Sequence, residues 1–220
     1  KSTSPGQMKS GCAVVGVFEP RKLSAAATAL DRVAKGYLST IVQRGDMDGK
    51  PGTTLLLHNV PHAACERVLL VGLGSEAEFG EKRYREAIAA AIKTLNATGA
   101  AEASLHLTEL VAVKRDIKWR VAHAVAVARE VAYRFDRMKS KPEGAQPALR
   151  RITLGANDKT AVRRATVGLE QGLAVAHGVN LAKDLGNLPA NVCTPAYLAE
   201  QARELARRYR IKVTVLEQED

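Results

Sequence analysis

The side chains able to do chemistry are spread thinly along this chain of 220 residues. The five histidines are His58, His62, His106, His123 and His177. None belongs to a His-Glu-x-x-His pair, and no cluster of carboxylates stands at metal-ligand spacing. His58 and His62 are four apart, but Pro61 between them removes the helical face on which such a pair could ligate. Each histidine therefore reads as a structural residue. Cys12, Cys65 and Cys193 are odd in number and far apart, which excludes a disulfide framework and a zinc knuckle. They read as small buried hydrophobes of a reduced, cytosolic protein. Glu217 and Glu219 fall at the end of the sequence and read as a solvated tail. No residue is assigned a catalytic or metal-ligating role.

Two patterns could bind anions. Gly72-Leu73-Gly74-Ser75 follows an apolar run, and glycines there can expose amides to a phosphate. The stretch lacks a third glycine and the Lys-Ser/Thr of a phosphate loop, so a strand-ending turn is the better reading. Basic residues cluster at 82–85, 114–120, 150–151, 163–164 and 207–210, and the formal charge is +10. A solvated surface explains most of them. The alternative is contact with duplex DNA phosphates, and its best candidates are Lys114, Arg115, Lys118 and Arg120, four cations in a loop entering a helix. No helix-turn-helix, zinc-finger or RNA-recognition signature supports it. Aromatic residues at 4% argue against a stacking platform for single strands.

These residues need a scaffold, and hydrophobic periodicity predicts one. Apolar β-branched runs at 11–18, 53–58 and 67–73 read as strands, as do 103–107, 151–154 and 211–216. Helices are expected from Ser24, with a stripe of Leu30, Ala34, Tyr37 and Ile41, then from about Lys82, and from Trp119 to Phe135. Lys139 to Pro147 has linker composition. From Asp158 a helical pattern continues to about Leu185, with Gly186 as its terminator and a length of roughly 40 Å at 1.5 Å per residue. Thr194 then reads as an N-cap and Pro195 as the first position of another helix, which reaches Tyr209. Strands alternating with helices predict an α/β domain with a mixed sheet. No run of about eighteen apolar residues suggests a membrane span, and Lys1 to Gly6 has no signal-peptide character.

One segment is more specific than the rest. Asn187-Leu188-Pro189-Ala190-Asn191 and Thr194-Pro195-Ala196-Tyr197-Leu198-Ala199 follow the pattern Asn-x-Pro-x-Asn-x-x-x-Pro-x-x-Leu-Ala. It resembles the inter-domain segment of the leucyl aminopeptidase family. Val14 to Pro20, Gly49 to His58 and Ala182 to Asn187 are similar to the bacterial branch, so the likeness covers the whole chain. The resemblance implies a macro-domain-like mixed sheet flanked by helices over 1–155, and a connector helix over 156–186. Residues 187–220 would then be the first helix-strand unit of a C-terminal domain that this chain lacks. It also implies a cytoplasmic homohexameric exopeptidase acting on peptides with two divalent metals, Mn or Zn, whose ligands lie downstream of the region covered here. No position matches the family's catalytic lysine or arginine. Bacterial relatives that bind DNA strengthen the duplex reading, and the macro-like fold suggests a nucleotide site for ADP-ribose as a further alternative. Ile211, Val213 and Val215 are expected to form a strand whose partner sheet belongs to the missing domain.

Overall fold

The computed structural model of the chain describes residues 5–141, 147–156 and 158–216. At its centre lies β1 (Cys12–Glu19), buried along its length except for the last residue. β4 (Arg67–Ser75) is likewise buried between its end residues. Strands with no polar side suit a sheet covered on both faces by helices. The order across the sheet is β3-β4-β1-β5-β6, with β3 at Thr54–His58, β5 at Glu102–Leu105 and β6 at Arg151–Leu154. The two-residue strand β2 (Lys22–Leu23) folds back antiparallel on the end of β1 and makes six strands in all. β4, β1, β5 and β6 run parallel, while β3 closes one edge antiparallel to β4. The expected mixed α/β sheet is therefore present.

Parity along β1 divides two cores. Cys12, Val14 and Phe18 pack against α3 (Glu81–Asn96) and α4 (Ile117–Val131). Ala13, Val15 and Val17 pack against α1 (Ala25–Val33) and α2 (Tyr37–Arg44). Cys12 and Cys65 are both buried, and burial pushes the Cys12 thiol up to about 12 with the neighbouring Cys65 adding to the effect. That suits unreactive packing residues.

The helix from Ser24 begins as expected, the Ser24 hydroxyl accepting from the Ala27 amide. It does not run on through Tyr37. Lys35 and Gly36 both take positive φ, and the Asp31 carboxylate accepts from the Ser39 amide at 3.0 Å and from the Ser39 hydroxyl. The chain thus restarts as α2 with Leu38, Ile41 and Val42 inward and Tyr37 partly exposed. The fourth helix starts two residues earlier than expected because Asp116 caps it, accepting from the Trp119 amide at 2.8 Å.

The long helix is α5 (Lys159–Asn187). It passes through Gly186, the expected terminator, and stops where Pro189 lacks an amide and disfavours helix at Leu188. Gly168, Gly172 and Ala176 recur every fourth residue, one face of a helix, and are its buried positions. A Cβ at Gly168 would stand 2.3 Å from the Lys118 carbonyl oxygen, and one at Gly172 would stand 2.5 Å from that of Ala122. The absent side chains let α5 lie against the backbone of α4, where Ile117, Val121 and Val125 meet Ala161 and Ala165.

The described residues fall into two units. One reaches Tyr133 and resumes up to His177, and the other holds the short segment from Arg134 together with the chain from Gly178 onward. The boundary thus falls within α5. In the second unit, Thr194 caps α6 (Pro195–Tyr209) by accepting from the Tyr197 amide at 3.3 Å, with Pro195 in the first turn. The strand expected at 211–216 is not formed. Those residues make no ladder, and Ile211, Val213 and Leu216 are exposed. A strand needs a neighbour to pair its backbone groups, and none stands beside these residues among those described. Most of the linker-like Lys139 to Pro147 stretch, and Glu217 with Glu219, lie outside the described residues.

Candidate functional site

The four cations weighed for DNA contact do not share one surface. Lys114 adopts a left-handed conformation at the end of a short 3-10 turn and is exposed. Arg115 is exposed but engaged, donating from Nε to Glu81 Oε1 at 2.6 Å and lying 5.8 Å from the centre of the Trp119 ring. Lys118 is half-buried in the first turn of α4. Arg120 corrects the expectation: it is only 7% exposed, and its Nη1 has no hydrogen-bond partner. Burial lowers its pKa, with the phenol of Tyr84 and the carboxylate of Asp116 opposing that shift. The reason is helical phase. Arg120 falls on the inward face of α4 beside Val121 and Ala124, and its carbonyl accepts from Tyr84 Oη at 2.8 Å.

Arg164 of α5 donates from Nη2 to Asp116 Oδ2 at 2.6 Å, which brings Arg164 to the start of α4. The amide of Trp119, followed by the charge of Arg164, holds the Asp116 carboxyl below its usual range. Trp119 stacks on His123 with ring centres 3.7 Å apart, which gives that histidine a packing role.

Gly72-Leu73-Gly74-Ser75 is the end of β4, and its glycine amides are taken. Gly72 donates to the Thr53 carbonyl at 2.8 Å, and Gly74, with φ of +80°, donates to the Gly49 carbonyl at 2.8 Å. The loop 49–53 lies so close that a Cβ at Gly72 would stand 1.9 Å from the Lys50 carbonyl oxygen. The glycines make room for protein backbone.

A concave site lies elsewhere in this unit, at the carboxyl ends of β1 and β5. The chain leaves β1 to build α1, α2, β3 and β4 on one side, then crosses through α3 to place β5 on the other. Where strand order reverses in this way, a crevice opens beyond the strand ends. Here it is a cleft of about 530 Å³ between β1, α1 and the turns after β5. Phe18, Leu23, Ala26 and Leu110 give it apolar walls, and Arg32, Glu76 and the ion-paired Lys22 stand among its polar residues.

His106 and Glu109 belong to the same cleft. His106 is 1% exposed, fixed by its amide to the Val14 carbonyl at 3.0 Å, and its Nδ1 lies 2.9 Å from Glu109 Oε1. Gly155 makes space for the pair, since a Cβ there would stand 2.0 Å from the Glu109 oxygen. His106 Nε2 is buried without a partner. Sequence reasoning passed over this pair. Its only signal was a histidine three residues before a glutamate just after a strand.

The two divalent metals implied by the resemblance find no fitting ligand set here. Among the described residues, no group of three or more His, Cys, Asp or Glu could hold a metal ion. Also among the described residues, no helix is long and apolar enough to cross a membrane.

Known proteins bear on this arrangement. Residues 14–142 match the model described as "Cytosol aminopeptidase family, N-terminal domain". A "probable cytosol aminopeptidase" of Nitrosospira multiformis is 54% identical over 226 aligned residues, covering 100% of this chain and 43% of the relative. Among solved structures, a tomato leucine aminopeptidase mutant aligns with a TM-score of 0.76 at 24% identity, covering 100% of this chain and 44% of that one. The bottromycin maturation enzyme BotP in complex with Mn aligns at a TM-score of 0.64 and 24% identity, covering 90% of this chain and 36% of that one. At that identity the two structures speak to the fold alone. The chain spans less than half the length of the curated relatives it matches. With more than half of its own length matched by the family model, this chain belongs to the cytosol aminopeptidase family, as its N-terminal domain.

Proposed function

We propose that this chain is the front portion of a leucyl aminopeptidase that removes N-terminal residues from peptides in the cytoplasm. The observation that carries this reading is the N-terminal-domain match in a chain that aligns end to end with under half of each longer relative. In this reading two divalent ions, Mn or Zn, would be held by residues outside those described here and would supply Lewis-acid chemistry. Mn is present in the complex of the structural neighbour BotP. No residue described here takes part in that chemistry. The contribution of this portion is assembly into a homohexamer. Exposed apolar side chains on α5, among them Val167, Leu173 and Val175, support it as surface that a further protein element would cover. The test measures leucine release from leucyl-p-nitroanilide with Mn²⁺. The 220-residue chain is expected at background, and a polypeptide extended to the relatives' length is expected to turn over. Robust turnover by the shorter chain overturns the placement of the site.

A second reading is favoured by one contact. The Arg164–Asp116 ion pair brings Arg164 to the start of α4, where Lys118 also acts on Asp116. Arg115 on Glu81 and Arg164 on Asp116, with Lys118 near Asp116, are the cations that duplex DNA phosphates would meet here. Such binding weakens linearly in log affinity against log salt. Absence of a gel shift at low ionic strength removes this reading.

A further inference from the structure

The sheet ends in an open edge at β3. We infer that this edge binds an extended acidic peptide, which adds a strand beside Thr54–His58 and lays an aspartate or glutamate side chain against Lys93. Such binding does not require the peptidase reading to hold.

The backbone phase of β3 is fixed at both of its ends. Asn59 donates its amide to the Glu66 carbonyl at 3.2 Å, and the Thr53 carbonyl accepts from the Gly72 amide at 2.8 Å. Bonded residues alternate along an antiparallel ladder, so residues 53, 55, 57 and 59 face β4. Thr54, Leu56 and His58 turn their amides and carbonyls the other way. Among the described residues, no strand pairs on that side and no loop bonds to these groups. Edge strands commonly carry a lysine, a proline or a bulge that deters pairing. Thr54-Leu55-Leu56-Leu57 has none of these, so its outward donors and acceptors stand ready for a further strand.

Beside this edge lies a groove of about 390 Å³ between β3 and α3. Thr54, Ala89, Ala90 and Thr94 line it, and the two threonine hydroxyls bond to each other at 3.1 Å. Such small residues leave room for the side chains of an added strand, every second one of which points to this face. Charge selects what enters. Glu86, the carboxylate of the groove, is taken by Arg83 Nη1 at 3.0 Å. Lys93, its cation, is exposed and makes no ion pair among the described residues. A carboxylate on the incoming strand is its complement. A second copy of β3 would bring threonine, leucine and histidine to the groove but no carboxylate.

The test is titration of the 220-residue chain with the peptide acetyl-Thr-Val-Glu-Val-Thr-amide, read by amide chemical shifts and hydrogen exchange. Shifts are expected at residues 54–58 and 86–94. At about 90% occupancy the Leu56 and His58 amides are expected to exchange about tenfold more slowly. The same peptide with lysine in place of glutamate is expected to bind about fivefold more weakly. Lys93→Glu, at an exposed position, is expected to reverse that preference. A peptide methylated on every internal amide keeps the side chains but cannot complete a ladder, and is expected not to bind. No saturable binding overturns the inference. So does equal binding of the methylated peptide, or an unchanged preference in Lys93→Glu. Protection of the Leu56 amide that grows with protein concentration in the absence of peptide gives the edge to a second copy, and overturns it as well.

Discussion

Replacing Gly172 by alanine tests the contact on which the position of α5 depends. Helix propensity alone favours alanine by about 1 kcal/mol. The contact opposes it. The new Cβ would stand 2.5 Å from the Ala122 carbonyl oxygen and 2.9 Å from Val125 Cβ. Ordinary contact begins near 3.4 Å, so α5 must retreat by almost 1 Å or bend. The first obstacle is main chain of a helix and cannot rotate aside. Overpacking of this kind costs about 1–3 kcal/mol, and a backbone obstacle belongs to the upper half of that range. The net expectation is a loss of about 1–2 kcal/mol, or roughly 2–8 °C in melting temperature for a chain of this size. Gly178→Ala is the control. It lies in the same helix with nothing within 4 Å of its would-be Cβ, so it should stabilise the helix by about 0.5–1 kcal/mol. The assay is urea unfolding followed by fluorescence of Trp119, the single tryptophan, which sits in α4 beside the contact, together with hydrogen exchange of α5 amides. If both substitutions stabilise α5 equally, the close approach of α5 to α4 is wrong.

Other expectations follow from caps and buried charges. Thr194→Ala removes the acceptor for the Tyr197 amide and should cost the second unit about 1 kcal/mol, read as faster exchange confined to the first turn of α6. Asp116→Asn tests a pH dependence. Its folded pKa is lowered by the Trp119 amide and then by Arg164, so the carboxylate's contribution is complete above the unfolded pKa of about 3.9 and disappears as pH falls through the lower folded value. The stability gap between wild type and Asp116→Asn, measured by urea unfolding, should therefore be constant near neutrality and close below about pH 4. Arg120→Met removes a buried guanidinium with an unpartnered Nη1 and should leave stability unchanged or raised. If duplex DNA binds, that variant should keep the wild-type salt slope, while Lys118→Ala lowers it by about 1.

The features legible in the sequence were those that act locally. Ser24 and Thr194 declared helix starts through side chains that cap within three residues, and Pro189 stopped a helix through its own ring. β1 and β4 were readable because both faces are apolar over eight or nine residues. The break between α1 and α2 was hidden because it rests on left-handed backbone at Lys35 and Gly36, while apolar residues continue at helical spacing across it. Gly186 was misread because a glycine inside a helix looks like one after it until the next residues are weighed. Arg120 defeated a charge argument because inward placement depends on where α4 begins, and Asp116 starts it two residues early. The cleft was invisible for a different reason. Its walls come from residues 18–32, 76 and 106–112, and only the crossing of the chain over β1 brings them together.

The two-sided partition of β1 also limits how the gene can change. A substitution at Val14 disturbs only the layer under α3 and α4, and one at Val15 only the layer under α1 and α2. Inserting or deleting a single codon would exchange the two sets and present each helix pair with side chains chosen for the other. It would also push a valine toward the space that Leu73 occupies opposite Gly16, where even a methyl group would stand 2.5 Å away. This stretch can therefore drift in spelling across descendants but not in length.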